Sequence, residues 1–264
     1  MLPSIFGKTL WDQRRSLLWW AIGLGLVVFV YVPVYPSYRD AGLLEMKDAG
    51  LPEDLATAMG FDDLASPAGY LEGTLFGLLG PLLLIMFAAA TGARAIAGDE
   101  EAGMLDLLLA HPVSRTRLVL ERFGALAAAI ALLGSVVWVA TLAAISLAGI
   151  DIGADRITAA AVGLALLGLS FGAIALATGA ISGSRGLVLG VTAALAVAAY
   201  LTHSFAPQVE GLEPLRNLSP FYYCLGSDPL RTGFHPGHLA MLEVIPLALL
   251  GIALWSFNGR DVAV

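Results

Sequence analysis

Residues 73–93, GTLFGLLGPLLLIMFAAATGA, contain no Asp, Glu, Lys or Arg. A transmembrane helix needs about 20 consecutive apolar residues, because the hydrocarbon layer of a bilayer is about 30 Å thick. Inside lipid every backbone N–H and C=O group must be paired within the protein, and a helix does this within a single segment. This run therefore predicts a membrane-spanning helix.

The chain as a whole has the composition of a membrane protein. Of its 264 residues, 58% are hydrophobic and 13% are charged, whereas about a quarter of the residues in a soluble domain are charged. A transmembrane barrel would show alternating polarity in segments of about ten residues, and the sequence shows no such pattern. We therefore predict an all-α integral membrane protein in which residues 1–264 form one transmembrane domain of six helices. The predicted spans cover approximately residues 16–36, 74–97, 117–149, 156–181, 186–206 and 238–258.

The distribution of charge predicts an orientation. Six spans place both termini on one side, and most of the 14 Lys and Arg residues fall on that side, in the shorter segments. Short cytoplasmic loops carry an excess of Lys and Arg, so we expect both termini to be cytoplasmic. The predicted outer loops are residues 37–73 and 207–237, and the first of them is rich in Asp and Glu.

A short amphipathic helix is predicted before the first span. Residues 3–15 combine apolar and aromatic side chains with Lys8, Arg14 and Arg15. This composition is typical of a helix that lies in the membrane interface. The alternative is an unstructured tail that leads into the span.

No cofactor site is predicted in this chain. The tripeptide GKT at Gly7–Thr9 invites comparison with a phosphate-binding loop, but Leu2 stands where that motif needs its first glycine. If the protein's work is driven by ATP, the ATP and Mg are bound by another polypeptide. His203, His235 and His238 lack a Cys or carboxylate at a recognised ligand spacing, so no metal site is expected.

The segment AGDEEAGMLDLLLAHPVSRTRLVLER, residues 97–122, separates the second and third predicted spans. We expect Gly98 to end the second span and Asp99 to cap a new helix with acids in its first turn. Leucines at helical spacing then form an apolar stripe, the His-Pro pair ends the helix, and Ser114 is placed to cap the third span. The pattern predicts a short helix over residues 99–110. It is either an interfacial link between two spans or a docking element for a cytoplasmic partner.

The same segment resembles the one between the second and third spans of bacterial ABC exporter permeases of the drug and polysaccharide export type. Members of that family read there as an acidic pair, Gly, Thr or Met, Leu, an acid, a Leu run and then Pro-Val-Ser-Arg. The motifs NLSPFYY (217–223) and FNGRDV (257–262) are also similar to that family, as is the six-span layout over essentially the whole chain. The matching positions of the main motif are Glu100, Glu101, Gly103, Met104, Leu105, Asp106, Leu107, Leu108, Pro112, Val113, Ser114 and Arg115.

This resemblance implies the permease subunit of an ATP-driven efflux system in the bacterial plasma membrane, without a fused ATPase domain. Two such subunits would enclose a translocation path as a dimer. Each would seat its helix at about 99–110 in a separate ATP-binding subunit, and the chain itself would not be an enzyme. The residues implied in ATPase coupling are Glu100, Glu101, Gly103, Met104, Leu105, Asp106, Leu108, Pro112, Ser114 and Arg115.

Ionisable residues in the spans are candidates for the path or its gate. Glu243 lies in the sixth predicted span, and Arg94 lies near the inner end of the second. An apolar path suits a hydrophobic or amphiphilic compound such as a drug, an antibiotic or a lipid. Related permeases serve varied cargo, so sodium extrusion and metalloenzyme assembly stay open. An ion- or proton-coupled secondary carrier is the alternative in another class. An intramembrane enzyme would need a catalytic pair such as Ser-His or two Asp within the spans. It is disfavoured, because His203 is the only histidine in their buried range and no span contains Asp.

Overall fold

A computed structural model of the chain describes residues 4–44, 63–104 and 114–260. Within these ranges all regular secondary structure is helical, and six helices are long and apolar enough to cross a membrane. The predicted all-α protein with six spans is therefore confirmed. We number the spans in chain order as span 1 (Ile5–Tyr31), span 2 (Pro67–Glu101), span 3 (Arg115–Ala148), span 4 (Ala154–Ser182), span 5 (Arg185–Phe205) and span 6 (Pro236–Gly259).

Polar residues and glycines set the ends of the spans. The side chains of Ser66 and Ser114 accept hydrogen bonds from backbone N–H groups in the first turns of spans 2 and 3. Ser114 therefore caps span 3, as its position in the sequence predicts. Gly149 and Gly183 end spans 3 and 4 with φ of 64° and 63°, a left-handed conformation that glycine adopts without steric cost. Because Ser66 supplies its cap, span 2 begins at Pro67, inside the segment predicted as the first outer loop.

Span 4 forms the centre of the bundle. In its most apolar stretch 72% of the residues are buried, against 11% in span 5. Small residues bring its neighbours close: a Cβ added at Gly92 of span 2 would lie 2.7 Å from the Cβ of Ala175, and one at Gly134 of span 3 would lie 2.9 Å from that of Ala165. Close backbone approach through small residues is the usual packing mode of membrane helices. Span 4 therefore holds spans 2 and 3 in a fixed arrangement.

The structure corrects the predicted N-terminal helix. Residues 5–31 form one uninterrupted helix, so most of the segment predicted as a separate interfacial helix is the first turns of span 1. The backbone N–H of Phe6 donates to the Glu121 side chain of span 3 at 2.9 Å, which fixes the start of span 1 against the bundle. No Pro or Gly lies between Gln13 and Ile22, so nothing there interrupts the propagation of the helix from its first turns into the span.

The bundle has two ends, which we name by what they carry. The terminal face carries Ser4 and Arg260, and the distal face is the opposite end. On the distal face the Tyr70 hydroxyl donates to the carbonyl of Tyr31 at 3.0 Å, and Arg231 forms an ion pair with Asp63. Short helices lie on this face at Tyr35–Asp40, Ala206–Gln208, Glu213–Leu218, Pro220–Leu225 and Pro229–Thr232.

Candidate functional site

The acidic turn, Asp99–Glu101, ends span 2 on the terminal face. A π-helical stretch over Arg94–Gly98 leads into it without a break. Asp99 has helical φ and ψ of −71° and −33°, so the prediction that it caps a new helix is wrong, as is the prediction that Gly98 ends the span. A cap residue needs an extended backbone, and the helix here simply continues. Inserted π turns are frequent at functional sites.

Each acid of this turn bonds to a different part of the bundle. Asp99 forms an ion pair with Arg122 of span 3, and Glu100 forms one with Arg260, which follows span 6. Glu101 accepts a hydrogen bond from the backbone N–H of Arg185, the first residue of span 5, at 2.7 Å. The Asp99 and Glu100 side chains are only 14% and 15% exposed. Glu100 and Glu101, two of the acids that the sequence suggests as docking charges, are therefore bonded within the chain.

Arg260 connects the turn to two further spans. Its guanidinium pairs with Glu100 and also donates to the carbonyl of Ala180, near the end of span 4, at 3.3 Å. Its own carbonyl accepts a hydrogen bond from Arg115, the first residue of span 3, which also donates to the carbonyl of Phe257 at 3.2 Å. The last carbonyls of a helix lack partners within the helix. Arg115 therefore caps the C-terminal end of span 6, a role that its place in the family motif does not reveal.

Gly183 makes room for this ion pair. Its φ of +63° already favours glycine, and a Cβ at this position would lie 2.5 Å from both Arg260 Nη2 and Glu100 Oε2. Glu100 Oε2 is buried and has no hydrogen-bond partner among the described residues. A side chain at position 183 would therefore displace the ion pair, so glycine is required here for two independent reasons.

Span 1 joins the same face through span 3. Glu121 accepts from the backbone of Phe6 and pairs with Arg117 at 2.7 Å, while Arg122 donates to the Thr9 hydroxyl at 3.2 Å. Sequence reasoning missed Glu121, Arg122 and Gly183 as parts of this site. The sequence does show a high density of charged residues in the short segments on one side of the membrane. It does not indicate which of these charges form pairs.

The other residues implied in coupling fall into two groups. Gly103 has a φ of +65° with open space around it, and Met104 is 51% exposed beside the acidic turn. Within the predicted helix over 99–110, the structure shows helix at Asp99–Glu101 and a turn at Gly103. Four further residues lie outside the described ranges: Leu105, Asp106, Leu108 and Pro112.

The two candidates for the path or gate lie apart from each other and from this site. Arg94 is exposed on the π-helical stretch of span 2, and Glu243 is exposed on span 6 in the half nearer the distal face. Neither has an ion pair with another residue that the structure describes. Their exposure places both on the outer surface of the single chain.

A lateral groove separates spans 2 and 5. It has a volume of about 470 Å³, which lies in the range of small-molecule sites. Among the described residues, no charged side chain lines it. Thr192 and Tyr200 are its only described lining residues with a polar side-chain group. Phe221, from the NLSPFYY motif, packs edge-on against Tyr200 at a centroid distance of 5.5 Å and bounds the distal end. The groove is lined by Gly77, Leu78, Pro81, Leu82, Ile85, Met86, Ala89, Leu189, Thr192, Ala193, Ala196, Val197, Tyr200 and Phe221.

Comparison with known proteins agrees with this architecture. The family model described as ABC-2 family transporter protein matches residues 4–262, which include all six spans and the acidic turn. Comparison with curated proteins gave no match. Because the family model covers nearly the whole chain, the chain belongs to the ABC-2 family of transporter proteins and is a permease, the membrane-spanning component of an ABC transporter.

Proposed function

We propose that this chain is the permease of an ATP-driven exporter that works as a dimer with separate ATP-binding subunits. The observation that carries the proposal is the acidic turn, whose three acids are bonded to spans 3 and 5 and to the segment after span 6. The chain that follows the turn is the segment expected to dock on the ATPase. A displacement of this segment would therefore be transmitted to several spans at once.

The proposed mechanism is a rigid-body coupling between two states. ATP-driven closure of the ATPase pair moves the docked segment, and the acidic turn transmits the movement to the spans that it holds. ATP hydrolysis is catalysed by the ATPase, which binds ATP and Mg. This permease contributes the path, the docking segment and the mechanical link. Glu100, Glu101 and Asp99 are positioning residues in this account, because their charges are already paired within the chain.

The proposed orientation places the terminal face in the cytoplasm of a bacterial cell. It is supported by the exposed basic side chains near that face, while most of the acids there are paired. Short cytoplasmic loops carry an excess of Lys and Arg. A face that keeps unpaired positive charge is therefore expected to be the cytoplasmic one. The exposed basic residues are Lys8, Arg14, Arg15, Arg94 and Arg185.

The proposed cargo is a hydrophobic or amphiphilic compound, such as a drug, an antibiotic or a lipid. The lateral groove supports this class, because its walls are apolar and it opens on a face that a second subunit or lipid would cover. An ion that enters this groove would lose its hydration shell, and the described residues of the groove provide no charged side chains and few polar groups to replace it. Efflux of such compounds is the activity we expect of the assembled transporter.

The test is co-purification with an ATPase encoded beside the permease gene, followed by transport in proteoliposomes. Reversal of Glu100 alone does not separate docking from folding, because it breaks an internal ion pair. Met104→Asp changes an exposed side chain next to the turn instead. We expect it to abolish ATPase binding and ATP-dependent transport while the unfolding midpoint stays unchanged. Leu212→Asp, at an exposed apolar position on the distal face, is the matched control and should bind as wild type.

Two results would contradict the proposal. One is wild-type permease that binds no ATPase under conditions where its fold is intact. The other is cargo uptake or release that proceeds without ATPase and follows an imposed ion or proton gradient, which is the behaviour of a secondary carrier.

A further inference from the structure

We propose that Arg260 is a positioning residue for coupling, so that the residue directly after span 6 takes part in the link between the ATPase and the path. The proposal rests on the proposed function and names a further residue that this function requires. Arg260 is the only described residue that bonds to the acidic turn, to span 4 and to span 3. These three bonds converge from segments that are far apart in the chain, since 160 positions separate Arg260 from Glu100 and 145 separate it from Arg115.

Glu100 is mostly buried in the acidic turn. Its side chain is 15% exposed, and its Oε2 has no hydrogen-bond partner among the described residues. Arg260 is its one cationic partner within those residues. Removing that partner leaves a mostly buried carboxylate without compensation, which is strongly unfavourable. The turn must then move toward water to hydrate Glu100, and its fixed position is lost.

The partner of Glu100 is a guanidinium group, and its shape matters as well as its charge. A guanidinium carries several N–H donors in a planar fork and serves two acceptors at once. Arg260 uses this geometry, since Nη2 faces Glu100 while Nη1 donates to the carbonyl of Ala180 at 3.3 Å. A lysine provides a single ammonium group and would keep the charge without holding both acceptors in the same way. The arrangement therefore calls for arginine rather than for any positive charge.

Arg117, on the same face, differs from Arg260 in what it holds. Arg117 pairs with Glu121, and that pair connects span 3 only with the start of span 1. Arg117 has no bond to the acidic turn among the described residues, and its side chain is 61% exposed against 23% for Arg260. Loss of Arg117 removes an equal charge from the same face without releasing the turn. Arg117→Gln is therefore the matched control for Arg260→Gln.

The first measurement is a distance distribution between spin labels in the permease alone, in lipid nanodiscs. The labels are placed at Met104→Cys beside the turn and Leu147→Cys at the distal end of span 3, both exposed positions, in a Cys224→Ala background. We expect a single narrow distribution for the parent, a clear second population for Arg260→Gln, and the parent distribution for Arg117→Gln. Loss of one charge-assisted hydrogen bond shifts a two-state population by roughly tenfold or more.

The second measurement is cargo transported per ATP hydrolysed by the reconstituted complex. We expect Arg260→Gln to lower this ratio roughly tenfold, following the same population shift, with Arg260→Lys between it and wild type and Arg117→Gln unchanged. The ratio is measured on the purified complex, which permease that fails to fold does not form, so it separates coupling from mere loss of folded protein. Glu100→Arg combined with Arg260→Glu should recover part of the ratio, since it restores the ion pair but not the hydrogen bond to Ala180.

The proposal is overturned if Arg260→Gln keeps both the parent distance distribution and the wild-type ratio, or if Arg117→Gln changes them to the same extent. The spin-label result is obtained without any ATPase. If wild-type permease fails to bind an ATPase, the proposed function fails, and the distance distributions still decide whether Arg260 fixes the turn.

Discussion

Gly183→Ala is the substitution whose effect the structure defines most closely. The residue ends span 4 with a φ of +63°, and the new Cβ would lie 2.5 Å from Arg260 Nη2 and 2.5 Å from Glu100 Oε2. A real Cβ does not approach other atoms so closely, so the ion pair or the backbone must shift. Gly149, which ends span 3, has nearly the same φ of +64° and nothing within 4 Å of its added Cβ. The two glycines therefore share the backbone strain and differ in the displaced ion pair.

The expected magnitudes follow from these two terms. An L-residue in the left-handed region costs about 1 kcal/mol relative to glycine, and this is the whole expected effect of Gly149→Ala. Displacing the Glu100–Arg260 pair, whose side chains are 15% and 23% exposed, adds about 2 kcal/mol, the value of a charge-assisted hydrogen bond. Gly183→Ala should therefore lower the free energy of unfolding by about 3 kcal/mol. The difference of about 2 kcal/mol means that Gly183→Ala should unfold at a thermal midpoint roughly 5 °C below that of Gly149→Ala.

The chain contains its own reporter for this measurement. It has one cysteine, Cys224, which is buried on the distal face and far from the substituted position. Reaction of this thiol with a fluorogenic maleimide during heating reports unfolding without any introduced cysteine. Equal midpoints for Gly183→Ala and Gly149→Ala would refute the reasoning. So would a Gly183→Ala effect that stays the same in an Arg260→Ala background, since the displaced partner is then absent.

Other positions give shorter tests. Burial raises the pKa of the Cys224 thiol to about 12, so its maleimide labelling in the folded protein should be slow at neutral pH; fast labelling of folded protein contradicts this. Gly92→Val should destabilise by about 2 kcal/mol, because its Cβ would meet span 4 at 2.7 Å, whereas Gly190→Ala, with nothing within 4 Å, should not; SDS unfolding compares them. Thr158→Val removes the acceptor of the Trp138 Nε1–H bond at 2.9 Å and should cost about 1 kcal/mol by the same titration, and a wild-type curve contradicts it.

The six spans could be predicted from the sequence because a bilayer imposes its demand on composition alone. A charge-free run of sufficient length has to be helical in lipid, whatever its neighbours are. The cap at Ser114 was equally predictable, because it depends on residues only a few positions apart. Local chemistry and the solvent decide both features, and neither requires knowledge of how the spans pack.

The partners of the acids could not be predicted in this way. Glu100 meets a residue 160 positions further along the chain, and Asp99 meets one 23 positions away, in span 3. Such pairs depend on how spans 3, 4 and 6 are arranged around the acidic turn. The error at Asp99 has the same origin: an acid after a glycine is typical of a helix start, but here the helix continues and the side chain has a partner in Arg122.

The pairing also bears on how a small movement at the docking segment would act on the path. A docking charge that is free in the resting state would be neutralised by the partner and would transmit little to the spans. Asp99, Glu100 and Glu101 are already bonded, and each holds a different element. Displacing the turn therefore means either moving spans 3, 5 and 6 with span 2 or breaking partly buried ion pairs. Because breaking such pairs is costly, concerted movement is the lower-energy response, and this is the response that the proposed coupling requires.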